Sequence, residues 1–389
     1  MPYFYTKEAE FVLKTLKNAG FKAYLVGGCV RDMLLNIPVH DYDITTSAKP
    51  DEVVALFENT VSTGAKHGTI TVLVEHIPIE VTTFRCDGKY ADSRRPDEVI
   101  YVSDIKYDLS RRDFTVNALA YNKDDGLIDL FGGKTDLENR ILKAVGDPKK
   151  RFLEDALRIL RLFRFASVLD FSIEQNTLDA ALECSDTLKF VSRERIFSEL
   201  TRAVCGVNTS VLNSLLEKDA LEFLGIKGGE DLKALALLPE NSKLRLFAFL
   251  YLTKSDSDLV LKELKASNKQ KNYCAALKNL LTYGNFKTKE EIKTACRIYG
   301  EEEFYDFTVF KENILNTSAK TEREMLNEIK TNREPYLLGD LKLNGNDLKQ
   351  LGFMGEEIKL KLEELLEAVT ENPKLNKKPI LLKIISKDR

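Results

Sequence analysis

Two aspartates, Asp41 and Asp43, stand two positions apart, shortly after a glycine pair, Gly27 and Gly28. Alternate residues of a strand project to one face, so both carboxylates could grip one hard cation. Magnesium suits such a place, because it prefers one or two carboxylates plus substrate phosphates to a cage made wholly of protein. The glycines fall where a short apolar run, 23–26, gives way to a helical pattern through Arg31. Backbone N–H groups there can approach a phosphate, and the following helix presents its positive end. Glu80, between Ile79 and Val81 on an alternating segment, is the candidate third carboxylate.

Arg111 and Arg112 open a run reading Arg-Arg-Asp-Phe-Thr-Val-Asn-Ala. At the start of a strand or helix, their guanidinium forks match the oxygens of a triphosphate. Asn117, in the same run, could take a ribose hydroxyl or brace the loop. Further on, Glu-Asp-x-x-Arg-x-x-Arg-x-x-Arg begins at Glu154. Read as one helix, this makes Asp155 and Arg158 neighbours, an acceptor beside a donor. Cytosine and adenine each carry an exocyclic amine beside a ring-nitrogen acceptor, whereas guanine and uracil carry a ring N–H there. A fixed carboxylate and guanidinium could therefore accept C or A and reject G and U without a template. Alone, each feature has an ordinary reading: a solvated strand end, a surface basic pair, an exposed salt bridge. Their succession in one chain favours chemistry.

The elements that must hold these residues change character along the chain. Residues 6–19 read as an amphipathic helix stopped by Gly20, 23–26 and 41–44 as strands, and Pro50 as the opening of a helix to about residue 58. Segments 69–74 and 77–84 alternate around a tight turn, a hairpin signal. Residues 86–96 are polar and read as a loop, and 128–133 as a strand end and turn. From about residue 148 apolar residues recur at helical spacing to the end, with softer breaks near Cys205-Gly206, 227–230 and 332–339.

Composition sets the bounds. A chain of 389 residues, 43% hydrophobic and 31% charged, is too long for one core. Its six cysteines (Cys29, Cys86, Cys184, Cys205, Cys274 and Cys296) form no close pairs, against a zinc site or disulfide framework. The first residues lack the pattern of a signal peptide, and no apolar run approaches the ~18 to 20 residues of a membrane span. The cytoplasm is the expected address, and no protein partner is inferable. A net charge of −3 gives no hint of nucleic acid. Locally, 149–164 holds six bases against two acids and 374–389 six against one, enough to hold phosphates.

Over residues 20–205 the motifs, in order, resemble those of the class II tRNA nucleotidyltransferases. They are Gly-Gly-x-Val-Arg-Asp with Asp-x-Asp, Arg-Arg-Asp-x-x-x-Asn-Ala, Asp-x-x-Gly-Gly, Glu-Asp-x-x-Arg-x-x-Arg, and Ser192-Arg193-Glu194-Arg195-Ile196 opening a helix. The resemblance implies an α+β chain: a small mixed-sheet, polymerase-β-like head, then an elongated all-α neck, body and tail. The expected divisions are 1–147, 148–205, 206–332 and 333–389. It further implies that Asp41 and Asp43 hold Mg2+, with Glu80 assisting in catalysis. Gly27, Gly28, Arg31, Arg111, Arg112 and Asn117 would bind the nucleotide's triphosphate and sugar, and Asp155 and Arg158 its base. Arg161 and Arg164 would orient that helix or contact RNA. The implied reaction joins CTP and ATP to the 3′ end of tRNA as C, C and A.

Leu130 stands where the turn motif usually has proline, and 341–376 more loosely resembles the tail of bacterial members. Bacterial poly(A) polymerases usually carry Gly-basic-basic-Phe-basic before the hairpin; here Gly64-Ala65-Lys66-His67-Gly68 stands instead. CC-adding relatives lack the loop after the hairpin, whereas 86–96 retains it with Asp87, Gly88, Arg94 and Arg95. Full CCA addition and A addition alone both remain open. With only His40, His67 and His76, the chain lacks the ligands of the phosphohydrolase domain some relatives append. A degenerate, purely RNA-binding head would have lost a metal carboxylate or the base-reading pair, and all four residues are present.

Overall fold

The computed structural model describes residues 5–87 and 99–387. Its chain forms two compact units, residues 1–236 and 237–389.

The first unit is built on a seven-stranded mixed sheet. In chain order its early elements are α1 (Lys7–Asn18), β1 (Ala23–Val26), α2 (Gly28–Leu34), β2 (Asp43–Thr46), α3 (Pro50–Leu56) and β3 (Thr60–Val61). Then come β4 (Thr69–Val74), β5 (Ile77–Thr83), β6 (Arg85–Asp87), β7 (Val99–Tyr101) and α4 (Ile105–Ser110). Strands β8 (Leu119–Asn122) and β9 (Gly126–Asp129) complete the sheet, in the order β3-β4-β5-β2-β1-β8-β9. Only β2 and β5 run parallel, which pairs Asp43 with Glu80. β4 and β5 turn back through Glu75 and His76, both at positive φ, the arrangement of a tight hairpin turn whose twist matches the strands. The unbroken apolar run of β1 has a simple cause: both faces are covered. Ala23 and Leu25 join the core under α1, while Tyr24 and Val26 join Phe84, Ile105 and Leu109 on the other side.

Two expected boundaries shift. Residues 86–96 do not all form a loop, because Arg85–Asp87 pairs with Val99–Tyr101; Gly88, Arg94 and Arg95 lie outside the described residues. The second strand begins at Asp43 rather than Asp41. On one side its partner β1 ends at Val26, where Gly27 turns the chain away at φ 76; on the other, the β5 register puts Pro78, which has no N–H, level with Asp41.

Helices follow: α5 (Gly133–Glu138), α6 (Pro148–Glu154), α7 (Leu157–Leu169), α8 (Gln175–Glu183), α9 (Arg193–Ala203) and α10 (Asn213–Glu217). A two-stranded parallel ribbon, β10 (Ile141–Leu142) with β11 (Ser172–Ile173), ties α5 to the end of α7.

The second unit is helical throughout its described residues. It comprises α11 (Ser242–Leu252), α12 (Ser257–Glu263), α13 (Asn268–Tyr283), α14 (Lys289–Tyr299), α15 (Glu301–Asn313), α16 (Lys320–Thr331), α17 (Gly345–Gln350), α18 (Glu356–Glu371) and α19 (Lys378–Lys387). The last three close a small core of their own around Leu348, Leu365, Leu366, Val369 and Leu381. Among the described residues no helix is long and apolar enough to cross a membrane.

Candidate active site

Two carboxylates, Asp43 and Glu80, stand side by side where β2 begins, with a third close by in the chain. Asp43 opens β2, Glu80 stands beside it on β5, and Asp41 lies exposed just upstream. Burial pushes the Asp43 pKa up to about 6, and the negative charges of Glu80 and Asp41 add to the rise while Arg112 opposes it. Crowded carboxylates of this kind fit a divalent cation, which would relieve their repulsion. Among the described residues no three His, Cys, Asp or Glu side chains converge as a finished metal cage. The donors present are few and all oxygen, which suits a hard cation completing its shell with phosphate and water.

Beside these carboxylates the chain packs closely around Gly27. Its φ of 76 and ψ of −132 lie in a region that only glycine occupies freely. A β-carbon here would also stand 2.8 Å from Arg112 Nη1. Gly28 then begins α2. Arg111 and Arg112 come at the end of α4, not at the start of a strand or helix, and this placement has a use. Asp108, one turn earlier on α4, takes Arg111 Nε at 3.0 Å, Arg111 Nη2 at 2.6 Å and Arg112 Nη2 at 3.3 Å. Both arginines are thus fixed from below by one carboxylate.

Asn117 is buried and braces this region. Its Oδ1 accepts from Arg31 Nη1 at 2.8 Å, and its Nδ2 donates to Asp113 Oδ1 at 3.1 Å. Asp113 also takes Arg161 through Nε and Nη2, at 2.9 and 2.6 Å. Burial alone would push the Asp113 carboxyl up, but Arg161 and Asn117 more than reverse this and hold it far below the usual range. Gly133 lets α5 press against the turn at 115–117: a β-carbon there would meet the Thr115 carbonyl at 2.1 Å. Arg31, Arg161 and Arg164 surround the ring of Phe165, with guanidinium carbons 5.2, 5.3 and 4.0 Å from its centre. Arg164 is buried and pairs with Glu199 on α9 at 3.0 Å.

Asp155 and Arg158 do not pair across one helix. The helix expected over 154–164 breaks at Asp155, whose extended backbone separates α6 from α7. The cause is local: Asp155 Oδ1 accepts from the Leu157 N–H, a short side-chain-to-backbone bond that competes with the helix. The Asp155 carboxylate instead takes Arg195 of α9, at 2.7 and 3.3 Å. Arg158 donates to Glu154 Oε2 at 3.0 Å and to the carbonyl of Arg111 at 2.9 Å. The two still stand together, since the Arg158 N–H donates to the Asp155 carbonyl at 3.0 Å.

Sequence reasoning passed over Asp108, Glu154, Arg195 and Glu199. Asp108 carried a signal, standing three and four residues before the arginines on one helix. Arg195 lay in the motif at 192–196 but was given no role, and Glu199 carried no signal, because they meet Asp155 and Arg164 only through tertiary packing.

Comparison with known proteins places the whole chain in one family. Residues 23–143 match the poly A polymerase head domain, and 170–224 match the probable RNA and SrmB-binding site of polymerase A. The CCA-adding enzyme of Staphylococcus haemolyticus is 36% identical over 400 residues, covering 98% of each chain. This chain belongs to the CCA-adding enzyme family. The Streptococcus gordonii CCA-adding enzyme is 50% identical over 219 residues, but that match spans only about half of each protein, 56% of this chain and 55% of the relative. The Bacillus stearothermophilus CCA-adding enzyme, solved in complex with CTP, superimposes with a TM-score of 0.84 at 30% identity. That match covers 100% of this chain and 98% of the other.

Proposed function

We propose that this chain is a template-independent tRNA nucleotidyltransferase that adds C, C and A to the tRNA 3′ end from CTP and ATP. Magnesium is the proposed divalent cation and the cytoplasm the proposed setting. The observation that carries the reading is the bond from Arg158 to the Arg111 carbonyl. It joins the residues suited to reading a base to the arginines suited to holding a triphosphate, so one nucleotide can be gripped at both ends.

Asp41 and Asp43 would hold the cation, with Glu80 raising the charge density beside them. When bound, the ion would supply Lewis-acid stabilisation of charge on the α-phosphate and the departing pyrophosphate. Arg111, Arg112 and the N–H groups at Gly27 and Gly28 would orient the triphosphate for in-line attack by the tRNA 3′-hydroxyl. Arg31, Asn117, Arg161 and Arg164 would keep that floor rigid through Asp113, Glu199 and Phe165. Asp155 would accept the exocyclic amine of C or A, and Arg158 would donate to the ring nitrogen. Both are already aimed by partners, Arg195 and Glu154, which restrains them before a base arrives. No side-chain nucleophile is needed.

The deciding experiment supplies magnesium and tRNA transcripts that end before, within or one residue short of CCA. CTP and ATP are offered singly and together. Two C additions, one A and then a halt are expected. Extension only of the transcript already ending in CC would assign A addition alone, and long A tracts would overturn the reading in favour of a poly(A) polymerase.

A further inference from the structure

We propose that Asp108 is a positioning residue for nucleotide binding, fixing both arginines and tying them to the strand that carries Asp43. The inference rests on the reading of Arg111 and Arg112 as triphosphate ligands and adds what aims them.

Asp108 lies at the inner end of α4 with its side chain wholly buried. Removing a carboxylate from water is costly unless every oxygen is answered. Here Oδ1 is taken by two nitrogens of Arg111, while Oδ2 takes Arg112 Nη2 and lies 3.3 Å from the Thr45 hydroxyl. Thr45 stands two residues beyond Asp43 on β2. A single carboxylate thus links the arginine pair to β2, the strand that Asp43 opens.

The charge balance separates this from plain scaffolding. One guanidinium would neutralise one carboxylate, yet two converge, leaving a surplus positive charge. That surplus is directed: Arg112 Nη1 lies against Gly27, its charge reaches Asp43, and its Nε is buried with no hydrogen-bond partner. A buried donor left open in a folded protein calls for an acceptor that arrives later. A phosphate oxygen between Gly27 and Asp43 has that chemistry.

The test compares wild type with Asp108→Asn, Thr45→Val and Arg112→Gln in the full-length chain. Thermal melting is recorded for each, and CTP and CMP binding are measured by titration calorimetry with magnesium. For Asp108→Asn the CTP dissociation constant is expected to rise about ten- to a hundredfold, as for loss of a charge-assisted hydrogen bond. CMP affinity should stay within about twofold. Thr45→Val, which keeps the carboxylate and removes the hydroxyl's contacts with Asp108 Oδ2 and the Thr82 carbonyl, should weaken CTP by roughly two- to fivefold with melting lowered by no more than a few degrees. It serves alone if Asp108→Asn does not fold. Equal losses for CTP and CMP, or CTP affinity unchanged in both folded variants, would overturn the inference. If Arg112→Gln also bound CTP as tightly as wild type, the triphosphate reading itself would fall. If Arg112→Gln weakened CTP while the Asp108 and Thr45 variants did not, only the positioning role would be lost.

Discussion

Both units bury charge, and they treat it differently. In the second unit Lys293 is almost wholly buried, and its Nζ donates to the Thr370 carbonyl at 2.9 Å and pairs with Glu334 at 2.7 Å. Lys311, equally enclosed, is answered by Asn285 and Glu322. Each ammonium is met on two sides, so its cost of burial is offset locally. In the first unit Asp43 is crowded by like charge that Arg112 opposes, and Arg112 Nε is buried without a hydrogen-bond partner. Unanswered charge persists only where something else over-determines the geometry or a ligand completes it. The contrast sets Lys293 and Lys311 down as scaffolding and supports the proposed chemical role of Asp43 and Arg112.

The strongest test of that contrast is Asp43→Ala. Loss of a cation-holding carboxylate should remove several kcal/mol of transition-state stabilisation, lowering turnover by about a thousandfold or more. Phosphate contacts dominate affinity for nucleic acid, so tRNA binding should stay within about threefold. Single-turnover incorporation and filter binding on one preparation would show both. Substantial residual turnover in a folded variant would remove Asp43 from the chemistry.

Asp113→Asn probes the floor beneath the site, where charge is answered. Arg161, partly exposed, would lose its nearer counter-ion and keep only Glu199 at 3.9 Å, at a cost of roughly 2–3 kcal/mol after discounting that exposure. The melting temperature should fall by about 4 to 10 °C for a unit of this size. The sign with pH follows from the depressed Asp113 carboxyl. Its stabilisation is fully present above the unfolded value near 4 and is lost as pH falls through the lower folded value. Melting curves of wild type and variant should therefore converge as pH drops below about 4, and a gap that stayed constant would discount the ion pair.

The sequence made the site legible where one element carries it. Asp43 opposite Glu80 follows from the alternation of β5, and the Gly27 turn from glycines after an apolar run. The register of the carboxylates was less plain, because Asp41 loses its place on the strand only once β1 ends at Val26 and Pro78 of β5 comes level with it. Asp155 illustrates a different difficulty. Apolar residues continue at helical spacing through 154–164, yet the aspartate bonds to its own chain and ends one helix there. Its partner Arg195 lies 40 residues away, and no local pattern connects them. The division of buried charge between the units was equally hidden, since no motif or local spacing marks Lys293 or Lys311 as enclosed.

Arg158→Ala sharpens the comparison at the joint between base and phosphate. It should relax choice of CTP over UTP by about ten- to a hundredfold, the range for losing one good two-pronged base contact. Because Arg158 also donates to the Arg111 carbonyl, the Michaelis constant for CTP should rise modestly, by about two- to fivefold. Competition between the two nucleotides in one reaction measures the first effect, and unchanged selectivity would detach Arg158 from base reading.

Lys293→Met carries the smallest expected effect and turns the comparison around. Methionine keeps most of the side-chain length and volume but cannot donate to Thr370 or pair with Glu334. Glu334 would retain Lys289 at 3.0 Å, so no carboxylate is stranded, and the loss should be about 1–2 kcal/mol. A melting temperature lower by a few degrees should accompany nucleotide binding and incorporation on saturating tRNA within about twofold of wild type. If melting held steady while CTP binding or incorporation collapsed, Lys293 would belong with the unanswered charges of the first unit. The rule that open charge marks chemistry and answered charge marks scaffold would then fail in this protein.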